Sequence, residues 1–112
     1  MSRILIVEDE MNLAMMMEDL LTNAGHRVFK AARLSRGLAL AASEPLDFAF
    51  LDINLAGEEV FPLALELRSL DVPFVFTSGY GASGIPASFG DCRILQKPYV
   101  PQQLFEVLAM LL

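Results

Sequence analysis

Short apolar segments alternate along the chain with longer segments whose apolar residues recur at helical spacing. Five short, mainly apolar segments have the pattern of buried strands, and these are residues 3–7, 27–31, 47–51, 73–77 and 93–95. Four longer segments have the helical pattern, and these are residues 11–24, 36–43, 58–69 and 101–112. Strands that alternate with helices in this way predict an α/β fold with a parallel sheet.

The alternation fails in one interval, between Ser78 and Arg93. Four glycines and one proline lie in this interval. Glycine and proline both disfavour helix interiors, so a full helix is not expected here. We expect a loop with at most one short helical turn, which leaves the fourth helix of the fold short or degenerate.

Composition limits the class of protein further. The chain has 112 residues and a formal net charge of −6, which suits one acidic domain over residues 1–112 with no electrostatic basis for direct binding of nucleic acid. The single cysteine, Cys92, excludes an internal disulfide framework and a cysteine-rich zinc module. No apolar run is long enough for a membrane span or a signal peptide, so we expect a cytoplasmic protein.

Polar side chains that could bind a ligand or take part in a reaction follow four of the predicted strands. Glu8 and Asp9 come directly after the first strand, Asp52 after the third, Ser78 after the fourth and Lys97 after the fifth. Ligands of open α/β sheets bind beyond the carboxyl ends of the strands. If the first and third strands are neighbours, the three carboxylates converge on one small concavity.

Three crowded carboxylates repel one another unless a cation compensates their charge. A hard divalent ion with oxygen ligands and retained waters fits such a site, which points to Mg²⁺. Lys97 and Ser78 add a positive charge and a hydroxyl donor, both suited to phosphate oxygens. Each feature alone is also typical of a solvated loop or a helix cap, and the prediction depends on their occurring together in order.

The chain resembles the receiver domain of two-component response regulators over essentially its whole length. Four short motifs carry the resemblance, and these are Ile-Val-Glu-Asp-Glu, Phe-Leu-Asp-Ile-Asn-Leu, Phe-Thr-Ser-Gly-Tyr and Gln-Lys-Pro-Tyr. The resemblance implies a flavodoxin-like fold, in which a five-stranded parallel sheet of order 2-1-3-4-5 has helices on both faces.

The resemblance also implies roles for the acidic residues. Asp52 would accept a phosphoryl group from a histidine kinase or a phosphotransfer protein. Asp52 and Asp9 would ligate Mg²⁺ directly, Glu8 would do so through water, and the backbone carbonyl of Asn54 would complete the protein ligands. Such a receiver modifies only itself, by phosphorylation and autodephosphorylation, and is not expected to be an enzyme on other substrates.

Further residues take places that the family's pattern assigns. Lys97 would pair with the acyl phosphate, and its bond to Pro98 is expected to be cis. Ser78 takes the place of the hydroxyl that moves toward the phosphoryl oxygen. Asn54 and Tyr80 would flank the phosphoryl group and modulate its lifetime.

Three departures from the pattern affect the expected output. Ile94 stands where the family usually has its switch aromatic residue, the fourth helix is degenerate, and no effector domain follows Leu112, which favours a stand-alone regulator. The segment from Pro73 to Gly81 is similar to the "FAT-GUY" subgroup of receivers, with Thr77-Ser78 in place of Ala-Thr.

The last helix indicates a partner surface. Its predicted buried stripe leaves further apolar residues on other faces, which suggests docking to a downstream protein or a homodimer through this helix. Signalling by protein contact and action as a phosphate sink are both compatible with the pattern. Two alternatives are a vestigial receiver used as a phosphorylation-independent binding module and, less favoured, a small aspartyl-phosphate hydrolase.

Overall fold

A five-stranded parallel sheet forms the centre of the fold. The computed structural model describes residues 2–79 and 84–112. The strands are β1 (Arg3–Val7), β2 (Arg27–Ala31), β3 (Phe48–Asp52), β4 (Asn54–Leu55), β5 (Glu58–Glu59), β6 (Phe74–Ser78) and β7 (Ile94–Gln96). The main sheet has the order β2-β1-β3-β6-β7 with every pair parallel. Counted within this sheet alone, the order is the predicted 2-1-3-4-5.

Two pairs of helices cover the two faces of the sheet. The helices are α1 (Met11–Asn23), α2 (Leu34–Ser43), α3 (Phe61–Ser69) and α4 (Pro101–Leu111). Alternate residues of β1 point to opposite faces, so Leu5 packs in the cluster with α2 and α3, whereas Ile6 packs in the cluster with α1 and α4. The flavodoxin-like fold is therefore confirmed. Within the described ranges, no helix has the length and apolarity needed to cross a membrane.

An aromatic side chain packs against the core in the interval between β6 and β7. The described part of this interval contains a single 3₁₀ turn, Ala87–Phe89, as the glycine content predicts. The Phe89 ring is 2% exposed and lies 5.6–5.7 Å from the rings of Phe61 and Phe76. The guanidinium of Arg68 lies 4.5 Å from the Phe89 ring centre and also donates to the Ser88 carbonyl. These contacts attach the segment to α3 and β6.

The start of the third helix differs from the prediction. Residues 58–60 were expected to be helical, but β5 pairs with β4 in an antiparallel hairpin and α3 begins only at Phe61. Two left-handed residues, Ala56 at φ 51° and Gly57 at φ 91°, reverse the chain between these strands. Pro62 then lies in the first turn of α3, where its missing N–H costs no helical hydrogen bond.

Candidate functional site

The polar residues that follow the predicted strands meet at the carboxyl edge of the sheet. β1 and β3 are direct neighbours, so Glu8 and Asp9 at the end of one lie beside Asp52 at the end of the other. Carboxylate oxygens of these three residues lie within 4.8 Å of one another. Ser78 ends β6 and Lys97 directly follows β7 at the same edge. The predicted convergence is confirmed.

Lys97 joins the two buried carboxylates. Its Nζ lies 2.8 Å from Glu8 Oε1 and 3.1 Å from Asp52 Oδ2. Glu8 is 3% exposed and Asp52 is 5% exposed, whereas Asp9 faces solvent. Two nearly buried carboxylates therefore share one ammonium group, which leaves an excess of negative charge in the site.

Burial and charge shift two pKa values in this cluster. Burial raises the pKa of Glu8 from 4.5 to about 7; the interaction with Lys97 opposes this and the nearby Asp52 adds to it. Burial alone would lower the pKa of Lys97, but its contact with Glu8 and the charge of Asp52 outweigh burial and raise it. Lys97 therefore stays protonated, while Glu8 resists ionisation near neutral pH.

Backbone amides orient the two buried carboxylates. The Asn54 N–H donates to Asp52 Oδ1 at 3.2 Å, and the Glu10 N–H donates to Glu8 Oε2 at 3.0 Å. Both amides belong to the residue two positions after the carboxylate, where the chain leaves β1 and β3. Asp52 consequently has one oxygen toward the Asn54 amide and the other toward Lys97.

A solvent-open pocket of about 400 Å³ lies over the cluster. The residues that line it are Asp9, Asp52, Ile53, Asn54, Ser78, Gly79 and Lys97. Its lining combines carboxylate and carbonyl oxygens with an ammonium group and a hydroxyl, so it can hold a hard cation and a phosphate oxygen side by side. A larger, mainly apolar groove shares Lys97 with this pocket and is also lined by Glu10, Leu13, Met16 and Tyr99, but not by Asp9, Asp52 or Ser78.

Of three further residues singled out from the sequence, the structure describes two, Pro98 and Ile94. The Lys97–Pro98 peptide bond is cis, as expected. Ile94 is half-buried in β7, where it pairs with Phe76 and packs against the core. Tyr80 lies outside the described residues.

Sequence reasoning missed two contacts near the site. The Asn54 side chain accepts the Gly57 N–H at 3.1 Å, inside a hairpin of which only the second strand falls in the predicted helix 58–69. The buried Tyr99 hydroxyl donates to Met17 Sδ at 3.0 Å, and burial with the nearby negative charges raises the pKa of this hydroxyl. The Ala56–Gly57 pair was a usable signal for the hairpin, whereas the Met17 contact has no local sequence signal.

Fold and site together define a flavodoxin-like α/β domain with an acidic, lysine-bridged pocket at the carboxyl edge of its sheet. The family model described as response regulator receiver domain matches residues 4–109. The chain belongs to this family of two-component signalling proteins.

Two solved structures are similar to this chain over nearly its whole length. SdrG from Sphingomonas melonis Fr1 is 36% identical with a TM-score of 0.83, and the match covers 97% of this chain and 94% of SdrG. TrrA from Thermotoga maritima, solved in complex with Mg(2+)-BeF, is 25% identical with a TM-score of 0.87 over 100% of both chains.

Two longer curated proteins are similar to the chain over part of their own length. YrkP of Bacillus subtilis (strain 168), described as an uncharacterized transcriptional regulatory protein, is 31% identical over 108 residues, which are 91% of this chain and 46% of YrkP. KdpE of Escherichia coli (strain K12), a KDP operon transcriptional regulatory protein, is 35% identical over 79 residues, which are 35% of KdpE. The chain spans less than half the length of either.

Proposed function

We propose that residues 1–112 form one phospho-accepting receiver domain, in which Asp52 takes a phosphoryl group from a histidine kinase or a phosphotransfer protein. The observation that carries the proposal is the pairing of the buried Asp52 carboxylate with Lys97 on an open, oxygen-lined pocket. The modified domain then signals by protein contact or serves as a phosphate sink.

The donor set fits Mg²⁺. Three carboxylates supply hard oxygen ligands within 4.8 Å of one another, and Lys97 compensates only part of their charge. Asp9, Asp52 and the Asn54 carbonyl would hold the ion, with Glu8 contributing through water. When bound, Mg²⁺ supplies positive charge to the phosphoryl oxygens. The relative TrrA, solved with Mg(2+)-BeF, supports this assignment.

The chain's own residues divide the phosphoryl-transfer chemistry among them. An oxygen of the Asp52 carboxylate attacks phosphorus, and the bond from phosphorus to the donor histidine nitrogen breaks. Lys97 stays protonated and offsets the negative charge that the phosphoryl group brings into the pocket. Ser78, at the end of β6 and on the pocket wall, donates its hydroxyl to a phosphoryl oxygen.

The subgroup is a further part of the proposal. We place the chain with the "FAT-GUY" receivers on the motif from Pro73 to Gly81, and propose that Asn54 and Tyr80 modulate the phosphorylated lifetime. The described part of the interval between β6 and β7 contains a 3₁₀ turn and no longer helix, which supports an output that does not depend on a helix there.

Phosphoryl uptake from acetyl phosphate, read by intact mass with and without Mg²⁺, tests the proposal. We expect a Mg²⁺-dependent gain of one phosphoryl group that disappears in Asp52→Asn, with the fold of the variant checked by circular dichroism. Labelling of Asp52→Asn at the wild-type rate contradicts the assignment of the acceptor. No labelling of the folded wild type from acetyl phosphate or a histidine kinase favours the phosphorylation-independent binding module, and steady turnover of a phosphate ester favours the hydrolase.

A homodimer through α4 is a separate proposal about partners. Met110 is 58% exposed and Leu112 is 51% exposed at the end of this helix, so apolar surface remains uncovered there. Sedimentation equilibrium of the wild type and Met110→Glu tests it, because a charge at the centre of such an interface dissociates the dimer. A wild type that is monomeric before and after phosphorylation contradicts the dimer.

A further inference from the structure

The β4–β5 hairpin follows the candidate phosphoryl acceptor after one residue. β3 ends at Asp52, and β4 begins at Asn54. The two central residues of the hairpin turn have positive φ, 51° at Ala56 and 91° at Gly57, which is the backbone pattern of the tightest two-residue hairpins. Alanine is uncommon in this conformation, so the turn persists because surrounding contacts hold it.

Contacts at both ends of the hairpin fix it to the domain. Leu55 and Val60 are fully buried, so the chain enters and leaves the hairpin through the core. Glu58 Oε1 accepts the Leu34 N–H at 3.5 Å, at the start of α2, which has no side-chain cap from its own residue Arg33. The hairpin is therefore a supported element and not a free loop tip.

Asn54 links the turn to the acceptor carboxylate through two hydrogen bonds. Its side-chain Oδ1 accepts the Gly57 N–H at 3.1 Å, and its own backbone N–H donates to Asp52 Oδ1 at 3.2 Å. The side-chain oxygen is thus engaged in the turn, while the backbone of the same residue orients Asp52. The other oxygen of Asp52 is left toward Lys97, 3.1 Å away.

We infer that Asn54 is a positioning residue and that the Ala56–Gly57 hairpin sets the orientation of the Asp52 carboxylate through it. The inference rests on the proposed function for its effect on phosphoryl uptake. In this arrangement the Gly57 N–H holds the side-chain oxygen of Asn54, and the backbone N–H of Asn54 orients the Asp52 carboxylate.

Gly57→Ala is the test variant, because it changes no group at the pocket. Nothing lies within 4 Å of the added Cβ at Gly57, so the substitution acts only through the positive φ. Gly25→Ala is the matched control, since Gly25 has φ 93° and the same open space but lies at the end of α1. Both variants strain the backbone to a similar degree, and only one does so at the hairpin.

The first measurement is amide hydrogen exchange at Asn54 by NMR, which needs no phosphorylation. We expect exchange of the Asn54 N–H to quicken roughly tenfold in Gly57→Ala and in Asn54→Ala, and to stay at the wild-type rate in Gly25→Ala. Equal exchange in all of these proteins overturns the inference. A wild type that fails to take up phosphate contradicts the proposed function but leaves this measurement decisive.

The second measurement is the rate of phosphoryl uptake from acetyl phosphate with saturating Mg²⁺. Gly57→Ala and Asn54→Ala should each slow phosphoryl uptake by about three- to tenfold. The double variant should lose little more, because both substitutions disrupt the same hydrogen bond between Gly57 and Asn54. Gly25→Ala should leave the rate unchanged. If only Asn54→Ala slows uptake, the Asn54 side chain acts directly at the phosphoryl group. If both glycine variants slow uptake equally, the effect comes from lower overall stability. Either result overturns the inference.

Discussion

Replacing Glu8 by glutamine should stabilise the Mg²⁺-free protein, and by an amount that depends on pH. Glu8 is 3% exposed, and its pKa is raised from 4.5 to about 7, chiefly by burial. Glutamine has nearly the same shape and no charge. The substitution therefore removes the cost of ionising a buried carboxylate and leaves the packing of β1 intact.

The competing interactions explain why burial decides the shift. Lys97 at 2.8 Å attracts the Glu8 carboxylate by about 6 kcal/mol at an effective dielectric constant of about 20. Asp52, with an oxygen within 4.8 Å, repels it by about 3.5 kcal/mol or more on the same scale. Removing a carboxylate from water costs several kcal/mol, which together with this repulsion exceeds the attraction.

The sign of the pH dependence follows from the raised pKa. Between pH 4.5 and about 7, the unfolded chain has lost the Glu8 proton while the folded protein retains it, so stability falls as pH rises. At about 1.36 kcal/mol per pH unit, the loss across this window is about 3 kcal/mol, and no further loss occurs above it. Glu8→Gln has no ionisable group at this position and therefore lacks this pH-dependent loss of stability. It should match the wild type to within about 1 kcal/mol at pH 5 and exceed its stability by about 3 kcal/mol at pH 8.

Urea unfolding followed by circular dichroism at pH 5 and pH 8, with EDTA present, measures the difference. Glu66→Gln is the control, because Glu66 is exposed on α3 and its substitution should change stability by less than about 0.5 kcal/mol at either pH. A stability difference between Glu8→Gln and the wild type that is the same at both pH values would refute the reasoning. Adding Mg²⁺ at pH 8 should narrow the gap, since the wild type retains the full acidic donor set.

Substitutions at two further residues, Phe89 and Tyr99, test packing around the site. Phe89→Ala should lower the free energy of unfolding by about 3–5 kcal/mol and Phe89→Leu by about 1 kcal/mol, because the ring is 2% exposed among other aromatic rings. A loss below about 1 kcal/mol for Phe89→Ala in urea unfolding would mean that the segment after β6 is not packed as described. Tyr99→Phe removes only the hydrogen bond to Met17 and should cost no more than about 1 kcal/mol, while phosphoryl uptake by intact mass stays at the wild-type rate. A large fall in uptake would show that the Tyr99 hydroxyl contributes to the chemistry.

The local sequence pattern was enough to predict the strands of the main sheet and the polar residues at its carboxyl edge. Continuous apolar runs such as Ile4 to Val7 have the length of a strand buried on both faces, and the polar residues that end such runs necessarily lie at the carboxyl edge of a parallel sheet. Both features depend on sequence period and position alone. The motifs around Asp52 and Lys97 then identified the family before any contact was known.

Local pattern favoured a helix over the second strand of the hairpin that follows Asp52. Glu58 and Glu59 precede an apolar helical segment, and acidic residues are typical of a helix's first turn, so a helix from residue 58 was the natural prediction. Pairing with Asn54 and Leu55 instead requires the left-handed turn and the burial of Leu55, which involve residues on both sides of the reversal.

Sequence pattern alone predicted the five strands of the main sheet, the four helices, their order and the side chains at the strand ends, because these depend on residues close together in the chain. Three properties come only from the folded chain: Phe89 packs against the core between β6 and β7, Lys97 bridges Glu8 and Asp52 across 89 and 45 positions of sequence, and Glu8 resists ionisation. Those properties arise from burial and from distances between remote residues, and both exist only once the chain has folded.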